Sequence, residues 1–118
     1  MSIEREAMLT VGWRVEQDGI PGFDERYDVE WAELEGRAER ASELLGRPVW
    51  PSDLCEVENT WCGDTQIVGT PMYDREMPMD TWANEVEKLG ELAKEVYRQV
   101  MRKEPEDGPY LMSWTRVF

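Results

Sequence analysis

Residues 56–70 read Glu-Val-Glu-Asn-Thr-Trp-Cys-Gly-Asp-Thr-Gln-Ile-Val-Gly-Thr, and the fold turns on how that stretch is taken. Two runs, 56–62 and 65–70, are rich in Val, Thr, Ile and Trp, residues that fit a pleated, half-buried surface. Gly63-Asp64 lies between them, and Gly followed by Asp suits a two-residue hairpin turn. Two strands are therefore expected here, joined back to back.

Both flanks carry helical rhythm. Upstream, Trp31, Leu34, Ala38, Ala41 and Leu45 fall at steps of three and four, one apolar stripe of a helix. Asp28 is placed to cap it, and Gly46 with Pro48 stops it. Downstream, Trp82, Val86, Leu89, Ala93, Val96 and Val100 repeat the rhythm. Asp80 is the expected cap, and Pro105 with Asp107-Gly108-Pro109 ends the segment. Glu85 and Glu87 early and Arg98, Arg102 and Lys103 late suit the helix macrodipole.

At the two ends of the chain the period changes to two. Leu9, Val11, Trp13 and Val15 alternate with Thr10, Gly12, Arg14 and Glu16, the pattern of a half-buried strand. Tyr110, Met112, Trp114 and Phe118 alternate in the same way. The order is thus β-α-β-β-α-β, the split βαβ arrangement of ferredoxin-like domains. The expectation is a single acidic α+β domain over residues 1–118, with both helices on one face of an antiparallel sheet. Thr10, Arg14, Ser113 and Thr115 should line the other, polar face.

Composition closes off several functions. The 118 residues hold 26 acids, 13 bases and no histidine, a formal charge of −13. Phosphate backbones and anionic membranes would repel such a surface, so neither nucleic acid nor membrane is an expected direct partner. Without imidazole the commonest general base and metal ligand is absent. Cys55 and Cys62 cannot furnish a four-ligand zinc site, and they read as reduced cytoplasmic thiols; a Cys55–Cys62 bridge is the alternative if the chain folds back there. No apolar stretch approaches the length of a membrane span, and no secretory signal opens the chain.

Phosphate loops, EF-hand spacing and nucleophile elbows are missing too. Residues 48–74 contain no base that would lower a thiol pKa. The loop acids Asp18, Asp24, Glu25 and Asp28 could offer oxygens to calcium, but turn and cap chemistry explains the aspartates as well. The expectation is a non-enzymatic protein with no metal and no cofactor.

The acids are unevenly spread. Residues 16–64 hold 14 acids and 4 bases, a net of −10, whereas 82–118 hold 7 and 6, a net of −1. The first helix is spaced to neutralise some of its charge through Glu33–Arg37 and Arg40–Glu43. The loop with Asp24 and Glu25 and the stretch with Asp53, Glu56, Glu58 and Asp64 have little to pair with. Concentrated charge of one sign speeds encounter with a basic partner; the plainer explanation is solubility.

Trp13, Trp31, Trp82 and Trp114 fall on apolar stripes and read as core. Trp50, held between Pro48 and Pro51, and Trp61, beside the turn, fall where chains run over the surface. Aromatics ringed by charge have the composition of binding hot spots; the plainer alternative is that each folds back to cap the core. Beside the main stripe of the second helix, Ala83, Gly90, Tyr97 and Met101 form a neighbouring strip. Gly90 costs about 1 kcal/mol relative to alanine in mid-helix, so something should approach it closely, either the core or a second copy in a homodimer.

These readings converge on a small acidic binding protein that blocks a basic, nucleic-acid-facing surface of another protein, such as a nuclease or DNA-binding protein. Its expected contacts are Trp50, Asp53, Glu56, Glu58, Trp61, Asp64, Asp24 and Glu25. Toxin-immunity proteins and phage anti-defence DNA mimics are of this physical type, an analogy of size and charge. The alternatives are an adaptor that assembles through its second helix and a small carboxylate-based enzyme.

Overall fold

The computed structural model describes residues 5–21, 31–60, 63–72 and 78–117, and side chains at 8–16, 18–21, 34–55, 65–72 and 78–115. The elements are β1 (Arg5–Glu16), α1 (Trp31–Leu45), β2 (Cys55–Thr60), β3 (Gly63–Met72), α2 (Met79–Met101) and β4 (Tyr110–Val117). Short 3-10 turns occupy Gln17–Gly19 and Pro51–Leu54. The strands form one sheet in the order β2-β3-β1-β4, and each neighbouring pair is antiparallel. The class is α+β, with an antiparallel sheet and two helices.

The helix stripes go where their spacing sends them. Leu34, Ala38, Ala41 and Leu45 of α1 meet Leu89, Ala93, Val96 and Val100 of α2 over Val11, Trp13, Val68 and Met72 of the sheet. The Trp31 side chain and the expected Asp28 cap lie outside the described residues. α1 ends at Gly46 (φ 66°), whose N–H donates to the Ser42 carbonyl at 2.9 Å, the left-handed stop that glycine adopts without strain. Thr70 Oγ donates to the Leu89 carbonyl at 2.9 Å, which ties α2 to β3 and satisfies a buried hydroxyl. Trp13 packs against Tyr97 with ring centroids 4.6 Å apart. Its indole N–H donates to the Asp107 carbonyl at 2.8 Å and holds the loop that leads into β4.

Three local expectations are corrected. First, Thr60 pairs with Gly63 and Asn59 with Asp64, so Gly63-Asp64 belongs to β3 rather than to the turn. β3 is hydrogen-bonded on both edges, and the pairing of Gly63 and Asp64 with Thr60 and Asn59 outweighs a weak turn preference. Second, α2 starts at Met79, with Pro78 rather than Asp80 in the cap position, while Asp80 accepts from the Thr81 N–H. Trp82 therefore stands in the first turn, beyond most of the core, and is 37 % exposed.

The third correction concerns the faces of the sheet. Thr10 is paired with Met112 and Met8 with Trp114, and residues directly opposite share a face. Met112 and Trp114 thus lie with Met8 and Ile67 in a second buried cluster, away from the helices. Ser113 lies across from Leu9, on the helix side, rather than with Thr10 and Arg14. The Trp114 indole donates to Thr10 Oγ at 3.0 Å within this second cluster.

A curled sheet accounts for that burial. Cα atoms of the edge strands β2 and β4 come within 8 Å of each other, although a flat sheet would hold strands three steps apart at roughly 14 Å. Gly12 and Gly69 are directly paired on the two central strands. A Cβ on Gly12 would stand 2.1 Å from the Val68 carbonyl oxygen, and one on Gly69 2.3 Å from that of Val11. Gly69 also has φ 156°, a conformation open essentially to glycine alone.

Candidate functional site

Trp50 is the residue around which a surface site assembles. It stands before Pro51, and a residue preceding proline is pushed toward extended backbone; its φ and ψ are −92° and 152°. On its N-terminal side the Val49 N–H donates to Ser42 Oγ at 2.8 Å, and the same Ser42 hydroxyl lies 2.8 Å from the Ala38 carbonyl of α1. On its C-terminal side the Trp50 N–H donates to Asp53 Oδ2 and the Asp53 N–H donates to the Trp50 carbonyl, both at 2.9 Å. The backbone is thus pinned from both directions, yet the indole is 64 % exposed.

Between this segment and α1 runs an open groove of about 830 Å³. Its floor is Ala38, Ser42, Val49 and Pro51, and its outer wall is Glu35, Glu39 and Glu43. The three glutamates follow at i, i+4 and i+8, one row on a helix, about 12 Å from first to last at 1.5 Å per residue. Among the described residues no basic side chain lines the groove.

The expected Arg40–Glu43 pair is not made: Arg40 reaches Glu95 on α2 in an exposed ion pair.

Of the anticipated contact residues, the structure brings Trp50 and Asp53 together and gives Asp53 a positioning role. Glu56 stands across the ladder from Ile67, Glu58 from Thr65 and Asp64 from Asn59; their side chains lie outside the described residues, as do Trp61, Asp24 and Glu25. Glu35, Glu39 and Glu43 escaped the sequence reading, which took part of the first helix's charge as neutralised and paired Glu43 with Arg40. Their even spacing was the signal that could have found them.

The strip on α2 is corrected. Gly90, Tyr97 and Met101 are buried within the protein's own core, and only Ala83 is exposed. The neighbours sensed through Gly90 are Pro109 and Val11, which a Cβ there would meet at 3.5 and 4.0 Å. A face already covered by its own chain cannot form the homodimer contact. The exposed apolar residues of α2 are instead Met79 and Trp82, at its N-terminal turn.

Among the described residues no group of three His, Cys, Asp or Glu is placed to hold a metal ion, and no helix is long and apolar enough to cross a membrane. The Cys55 thiol lies 3.6 Å from Gln66 Oε1; Cys62 lies outside the described residues. The Tyr110 hydroxyl donates to Asp107 Oδ2 at 2.5 Å, and that hydrogen bond raises the phenol above its ordinary pKa. No family model, curated protein or solved structure matches the chain.

Proposed function

We propose that this is a non-enzymatic acidic binding protein that occupies a basic surface on another protein. In its sharpest form the target is the nucleic-acid-facing surface of a nuclease or DNA-binding protein, and the outcome is inhibition. The observation that carries the reading is the rigidly held, exposed Trp50 beside an unbroken row of three carboxylates. Large aromatics in pinned backbone lose little freedom on binding, and acids around them steer a basic partner to the site. In this reading the protein works in the cytoplasm.

The test uses the full chain, immobilised, against a lysate of the source cell. A partner of the proposed kind is retained at low salt, elutes as salt is raised toward about 0.5 M, and is displaced by duplex DNA that competes for the same basic face. Retained proteins indifferent to both salt and DNA would overturn the proposal. For the fold, the ferredoxin-like assignment is supported by the strand order β2-β3-β1-β4 with antiparallel neighbours throughout.

A further inference from the structure

The apolar groove beside Trp50 has a shape and a charge that narrow what can fill it. Its floor of Ala38, Val49 and Pro51 offers no charged partner, so the occupant's inner side must be apolar or planar. Its wall of Glu35, Glu39 and Glu43 repeats about every 6 Å, since four residues of helix rise that far. Basic residues at i and i+4 on a second helix repeat with the same step. At the lip stands an indole with most of its surface free, and tryptophan is the best side-chain face for a cation.

We infer that the groove takes an arginine-rich amphipathic helix of the partner protein, with one guanidinium stacked on Trp50 and others paired to the glutamate row. Arginine rather than lysine fits on two grounds. A guanidinium is planar, so it can lie on the indole while its edge reaches a carboxylate with two parallel hydrogen bonds. An ammonium is a point charge that gives up more hydration and gains no stacking. The inference rests on reading this groove as the binding surface, and it commits the partner to one chemistry.

The probes are three labelled synthetic helices that carry Arg, Lys or Glu at the same i, i+4 and i+8 positions, titrated with the full chain by fluorescence anisotropy. The Arg helix should bind at least about fivefold more tightly than the Lys helix, and the Glu helix should not bind. Trp50→Ala should weaken the Arg helix by about tenfold or more, as loss of a hot-spot anchor does. Trp50→Phe should fall between, because it keeps a ring but a weaker face for a cation. Glu39→Gln should weaken the Arg helix and flatten its salt dependence.

Equal affinity for the Arg and Lys helices, or an Arg helix untouched by either Trp50 variant, would overturn the inference. Separate failure of the broader reading is visible in the lysate experiment. A salt-sensitive, DNA-displaceable partner that Trp50→Ala still captures at wild-type strength would leave the acidic binding protein standing and remove this groove.

Discussion

Two glycines show how differently one residue type can be used. At Gly12 a methyl group would be driven into the backbone of Val68 and Gly69, and backbone atoms of a paired strand cannot step aside. Gly12→Ala should therefore cost about 3 kcal/mol, the upper end of ordinary single substitutions, seen as a large drop in the urea midpoint. Gly36 lies exposed in α1 with nothing within 4 Å of its would-be Cβ. Gly36→Ala should raise stability by about 1 kcal/mol, the helix-propensity difference. A midpoint left unchanged by Gly12→Ala would show that the paired strand does not stand this close to Gly12.

At the scale of the element, α1 carries a cost that binding would explain. Glu35, Glu39 and Glu43 oppose one another at i, i+4 spacing, and each such pair destabilises a helix by roughly 0.2–0.5 kcal/mol. Glu39→Lys turns both repulsions into attractions. The melting temperature should rise, by an amount equivalent to about 1 kcal/mol, while affinity for the basic partner falls. A variant that melts no higher than wild type would show that the row is not in mutual repulsion. Ser42 has the complementary role, since its hydroxyl accepts from the Val49 N–H at 2.8 Å. Ser42→Ala leaves that donor in need of a partner, at about 1 kcal/mol or more, and loosens the segment that presents Trp50.

For the whole molecule, charge acts in opposite directions on folding and on binding. With 26 acids against 13 bases the compact state repels itself, and salt screens that repulsion with a Debye length that falls from about 30 Å at 0.01 M to about 3 Å at 1 M. Thermal stability should therefore climb with sodium chloride while affinity for a basic partner declines. A melting temperature that stays flat or falls as salt is raised would mean that favourable local pairs, such as Arg40–Glu95 and Arg98–Glu104, outweigh the net excess.

What the sequence determined by itself is what period and composition control: the two helix stripes, the alternation of the outer strands and the acidic character. Each is a local property, legible wherever 3.6- or 2-residue spacing matches a buried face. Tertiary structure alone decided the rest. The alternation in β4 marks an apolar side, but which side of the sheet that is depends on pairing with β1, and Thr10 opposite Met112 settled it. Gly63-Asp64 joined β3 rather than a turn because they pair with Thr60 and Asn59 of β2. Arg40 passed over Glu43 for Glu95 because packing laid a second helix alongside the first. The groove has no sequence signature, since Trp50 and Glu35 become neighbours only when Ser42 fastens the segment after α1 back against the helix.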